Sequence, residues 1–187
     1  EAHVHVERAL GAPDVAAVVA AAAPALTVEI ANQTGCELRY RLHGGGAPAV
    51  VPPGETARAS VADDGGVHVA LVHELSVRTR DGWLRVPALP TGRAGTWTLA
   101  ATADGHVARG DSSVHVHLTL RPLDGADPGV ALTVRSLLAV RNGASEPLRI
   151  QLLVDADGAD AVVDLGVISP GGAVAVPPHH SDARLRA

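Results

Sequence analysis

The stretch VEIANQTGCELRYRL, residues 28–42, decides how the chain is read, because LAVRNGASEPLRIQL, residues 138–152, is a loose copy of it. Asn32 and Asn142 hold the same place in the two copies, 110 positions apart, and they are the only asparagines present. Leu38 and Leu148, and Leu42 and Leu152, keep the same spacing. An HVH triplet at His3–His5 recurs at His115–His117, and Pro53–Gly54 recurs as Pro170–Gly171. The order HVH, Asn, apolar strand, Pro-Gly is thus met twice. Offsets that drift by a few residues are what loop insertions produce. A unit of about 110 residues that occurs twice accounts for this pattern. It predicts a first β-repeat module at 1–125 and a second, shorter one at 126–187. After Pro178 no match to HELSVRTRDGWLRVPALP is legible.

Working outward, strand patterns dominate. ELRYRL, VHVALV, SVHVHLTL and PLRIQLLV are short, rich in Val and Leu, and alternate in polarity. GGGAP, DDGG, RDG and SPGG between them are turn chemistries. No segment carries a sustained helical period. The expected fold is all-β, with tandem antiparallel β-sandwich modules. Composition agrees. Hydrophobic residues make up 47% of the 187, so a core can form, yet Phe and Met are absent and there are two Trp and one Tyr. Val, Leu and Ala must fill that core, and β-branched residues favour strands. The apolar run from Val15 to Leu26 is too short to span a bilayer, and Pro24 interrupts it.

Charge and chemistry exclude several functions. The net charge of −5 argues against nucleic acid as a partner. No basic cluster suggests direct contact with an anionic membrane. One cysteine, Cys36, cannot form an intramolecular disulfide, which suits a reducing compartment. A chain opening on Glu1 reads as a segment of a longer polypeptide. With no Lys, neither a phosphate-binding P-loop nor Schiff-base chemistry is available. HGGGAP at 43–48 matches an esterase oxyanion loop in letters, but the G-x-S-x-G nucleophile elbow is missing. The HVH pairs put two imidazoles on one strand face, without a third ligand at a metal-binding spacing. A strand with polar His on one face and Val on the other explains the same letters. No catalytic residue, metal or cofactor is therefore expected. Two further patterns sustain an extracellular adhesion reading: Arg-Gly-Asp within ARGDSS at 108–113, and the glycosylation sequon Asn32–Thr34. A metal-dependent enzyme is the remaining alternative.

Each Asn ends an apolar strand and precedes a turn. Its amide can satisfy backbone groups that a turn leaves unpaired. Asn32 and Asn142 are thus expected to organise turns, and to shape a peptide-binding groove if one is present.

The Asn-marked strands LTVEIANQTGCELRYRL and SLLAVRNGASEPLRIQLL, with the Pro-Gly turn of ISPGGAVAVPPHHSDARLRA, resemble the adaptor-binding domain of the vacuolar protein sorting-associated protein 13 family. These are rod-like lipid-transfer proteins of membrane contact sites. The resemblance runs from about Leu26 to Arg186, and the Ala-rich stretch before Leu26 lies outside it. It implies β-rich repeats, each marked by an Asn, that bind short Pro-X-Pro motifs of organelle adaptor proteins. It implies a cytoplasmic protein, peripheral at organelle membranes and contact sites, that meets the membrane indirectly through its adaptors. In that family only the last repeats of the array bind such motifs.

Overall fold

The alternation of Val and Leu with polar residues builds strands almost throughout. The computed structural model describes residues 25–43, 46–62, 72–87, 94–103, 114–123, 129–156, 159–180 and 184–186. The strands are β1 (Ala25–Gln33), β2 (Leu38–Leu42), β3 (Ala49–Val51), β4 (Thr56–Ala62), β5 (Val72–Thr79), β6 (Gly82–Val86), β7 (Gly95–Ala101), β8 (Val114–Pro122), β9 (Gly129–Ser136), β10 (Ala139–Arg141), β11 (Leu148–Ala156), β12 (Ala159–Ile168), β13 (Ala173–Ala175) and β14 (Arg184–Arg186). A single 3₁₀ turn, Pro178–His180, is the one helical element among the described residues. None of them forms a helix long and apolar enough to cross a membrane.

Two sheets face each other in the first module, in the orders β4-β1-β9-β8-β7 and β3-β2-β5-β6. Their inner faces share one core. Val28 and Ile30 of β1, Val116 and Leu118 of β8, and Leu132 and Val134 of β9 meet Leu38, Tyr40, Val51, Leu75 and Val77 from across the sandwich. Burying a Val or Leu side chain fully contributes about 1.5–3 kcal/mol, so aliphatic residues suffice without Phe or Met. In β8 the HVH letters separate as expected for a half-buried strand. Val116 and Leu118 are buried, while His115 is exposed and His117 half-buried on the outer face. The first HVH, the Ala-rich run before Ala25 and the ARGDSS stretch lie outside the described residues.

The repeat is visible strand by strand. β1 pairs antiparallel with β4 through Ala31↔Thr56 and Ile30↔Ala57. β10 pairs antiparallel with β13 through Arg141↔Ala173 and Val140↔Val174. β2 opens its hairpin with β3 at Leu38↔Val51. β11 opens its own with β12 at Leu148↔Ile168. The offset is 110 before each hairpin and 117 after it, so the second hairpin is seven residues longer. β14 lies beside β11 at Leu152↔Leu185, where β5 lies beside β2 at Leu42↔Val72. The short strand Arg184–Arg186 therefore stands where the stretch HELSVRT begins, a match the letters after Pro178 do not display.

The expected module boundary at 125/126 does not coincide with a break between sheets. β9 lies beyond that boundary, yet it enters the first module's sheet between β1 and β8. It also runs parallel to β1, the one parallel pairing among the described strands. The reason is a divided strand. In the first module the segment leading into the Asn is one continuous strand, β1. In the second it is split at Leu137–Leu138, both exposed. The half before the split completes the first sandwich. The half after it, β10, starts the second module, where Val176 still donates its amide to the Leu138 carbonyl at 3.0 Å. One strand thus ties the modules together.

Candidate functional site

The two asparagines sit where β1 and β10 turn into the following hairpin, and each is 1% exposed. Asn32 Nδ2 donates to the carbonyls of Cys36 at 2.7 Å and Val51 at 2.9 Å. Asn142 Nδ2 donates to the carbonyls of Glu146 at 2.7 Å and Ile168 at 2.8 Å. Asn32 Oδ1 accepts the Thr34 amide at 3.0 Å, and Asn142 Oδ1 accepts the Ala144 amide at 2.9 Å. This two-residue closure is the turn that Asn side chains favour. Both backbones are held from the far side as well. The Asn32 amide donates to the Glu55 carbonyl and its own carbonyl accepts the Gly54 amide, each at 2.9 Å. Asn142 repeats this with Gly172 and Gly171, again at 2.9 Å. Asp or Ala could not hold two carbonyls in this way, because neither offers an NH₂ donor.

The Pro-Gly pairs complete the arrangement. Gly54 and Gly171 have φ values of 78° and 73°, a conformation that only Gly adopts without penalty. Pro53 and Pro170 precede them in tight turns and are exposed. Pro presets the first turn position, and Gly then turns the chain so that its amide reaches the Asn carbonyl. Both Asn-turn assemblies therefore share the same parts, in the same order, with the same bonds.

Their surroundings differ. Thr34 and Cys36 are buried, while their counterparts Ala144 and Glu146 are exposed. The Thr34 hydroxyl adds a 2.8 Å bond to Asn32 Oδ1 and accepts the Cys36 amide at 3.4 Å. Burial pushes the Cys36 thiol pKa above its ordinary value, which disfavours the thiolate. The first turn is covered by the second module. A Cβ added at Gly35 would fall 2.6 Å from the Ala175 carbonyl oxygen and 3.3 Å from Pro177 Cδ. Val176, Pro177 and Pro178 are buried in this contact region, and the 3₁₀ turn that follows packs on β8. Ser145 replaces Gly35 in the second turn and is exposed, as are Ala144, Glu146 and Pro147 around it.

Other chemistry suggested by the letters finds no assembly. His43 and residues 46–48 of HGGGAP are exposed in the β2–β3 hairpin loop. Among the described residues no three His, Cys, Asp or Glu side chains come together as metal ligands. The sequon at Asn32 is closed to modification in the folded chain, since its Nδ2 is buried and holds two carbonyls. Sequence reasoning did not foresee the cover over the first turn. The one local sign of it is Gly35 standing where the second copy has Ser145. Comparison with models of known protein families gives no match, and comparison with curated proteins gives none either.

Proposed function

We propose that this chain is a protein-recognition module of a bridge-like lipid-transfer protein, and that its Asn142 turn receives a short Pro-X-Pro segment from an organelle adaptor. The supporting observation is the unequal cover of two equal turns. The Asn32 turn is roofed by the chain's own Ala175–Pro177, a proline-bearing segment that leads out of β13. The matching surface at Ala144–Pro147 is exposed. An extended segment of similar chemistry, supplied by a partner, is the natural occupant. Proline-containing segments are preordered and lose little entropy on docking. On this reading the module works without catalysis, metal or cofactor. Its parent protein reaches organelle membranes and contact sites through the adaptors, from the cytoplasmic side.

A fluorescence-anisotropy titration of a labelled Pro-X-Pro adaptor peptide, carried to about 1 mM, tests this. The folded wild type is expected to bind, and Asn142→Ala to weaken binding about tenfold, with circular dichroism verifying that the variant remains folded. No binding by the wild type, or equal binding by both proteins, contradicts the proposal.

A further inference from the structure

Strand alternation gives the sheet β3-β2-β5-β6 an outer face opposite the core. Leu38, Tyr40 and Leu42 of β2 point inward, so Arg39 and Arg41 point outward. Register places Arg41 against Glu74 and Arg39 against Ser76. Ser76 faces Arg85, and Arg78 faces Trp83. Four arginines thus share one sheet face. Glu74 lies among them and Glu37 at the margin beside Arg78, leaving a local charge of about +2 in a chain whose net charge is −5.

Trp83 sits within this cluster. The Arg39 guanidinium carbon lies 4.7 Å from the Trp83 ring centroid, and that of Arg78 lies 5.5 Å away. Stacking of this kind holds guanidinium planes in place before anything binds. Glu74 accepts a 3.1 Å hydrogen bond from Arg41 and lies 3.6 Å from Arg39. One carboxylate is thus shared by two guanidiniums, and the Nε of each of these arginines is buried without a hydrogen-bond partner, which leaves the outer guanidinium nitrogens to meet a ligand. Trp83 is also one of only two tryptophans in a chain without Phe, and it lies half-buried on the outer face while Trp97 packs against the core. Trp and Arg are the side chains that most often dominate binding energy at protein interfaces.

We propose that the outer face of β2, β5 and β6 docks a short acidic segment of a partner protein, with its carboxylates on Arg39, Arg41 and Arg78 around the Trp83 ring. Guanidinium forks match carboxylates two bonds at a time. Glu74 and Glu37 break the positive surface into short spots. A nucleic-acid backbone or an anionic bilayer needs a longer positive field, whereas a peptide with spaced carboxylates fits these spots. This face is formed by the first module and is independent of the Asn142 turn.

The probe is a fluorescein-labelled decapeptide alternating Glu and Leu, titrated at low salt and read by anisotropy. The wild type is expected to bind below about 1 mM and to lose about tenfold in affinity when salt is raised to about 0.5 M. Arg39→Gln combined with Arg78→Gln should weaken binding about tenfold, at an unchanged melting temperature. Arg58→Gln, on the opposite sheet, should leave it unchanged. Absence of wild-type binding, equal binding by the Arg39/Arg78 variant, or tighter binding to single-stranded DNA or to phosphatidylserine vesicles than to the peptide overturns the proposal.

Discussion

The Asn32 and Asn142 turns are built from the same bonds, yet one is interior and the other is surface. At Asn32 the amide is backed by the Thr34 hydroxyl, and the second module's Ala175 and Pro177 close over Gly35. At Asn142 the same amide works alone beneath exposed Ala144 and Ser145. The comparison separates two roles that a repeated Asn can hold. The bonds it makes are required by the turn, so they recur. What rests on the turn is not fixed by those bonds, and it differs. The repeated residue is therefore a structural constant, and function is to be sought in what the turn exposes.

Substitutions at Gly35 and Ser145 should show the largest contrast. Gly35 has a φ of 76° and backbone of the second module at its Cα, so Gly35→Val strains the backbone and pushes the modules apart. A loss of about 2–4 kcal/mol is expected in urea unfolding. Ser145→Val at the exposed counterpart should stay within about 0.5 kcal/mol. Equal effects would mean that the first turn is not covered.

Removing each Asn amide comes next. Asn32→Ala strands two buried carbonyls and the Thr34 amide, and about 2–3 kcal/mol should be lost. Asn142→Ala leaves Glu146 and Ala144 open to water, so about 1–2 kcal/mol is expected. A larger loss at Asn142 would reverse the assignment of interior and surface. Thr34→Ala then makes the first turn resemble the second, at about 1 kcal/mol.

A further test concerns pH. Burial first, then the neighbouring His180 charge, lower the His179 pKa to about 4, while Asp81 opposes them. The folded chain therefore binds this proton less readily than the unfolded chain, whose His titrates near its ordinary value of about 6.5. Stability from this group is present above pH 6.5 or so and is lost as pH falls toward 4. Thermal melts between these limits should show a decline that His179→Gln abolishes. An unchanged slope in the variant would place the pH sensitivity elsewhere.

Much of this was legible in the letters. Alternation in ELRYRL and SVHVHLTL marks the strands, and two lone asparagines with two Pro-Gly pairs mark equivalent turns. The divided strand was not legible. LTVRSLLAV reads as one apolar segment, because Leu132 and Val134 keep their alternation up to a Leu pair that could belong to either side. The parallel pairing of β9 with β1 depends on contacts about 100 residues apart in the chain, which no local pattern records. The cover over Asn32 has the same origin, since Pro177 and Gly35 lie 142 positions apart and meet only through the tertiary fold. The arginine face was hidden for another reason: its members come from three strands, and only their register brings them around Trp83.

On the proposed reading, the covered turn is structural and the exposed turn receives the peptide. Backbone amide NMR of the labelled protein during titration with a Pro-X-Pro adaptor peptide tests it most directly. Shifts are predicted at Gly143–Glu146, with Gln33–Glu37 silent. Shifts at Gln33–Glu37, or none at either turn, would contradict it.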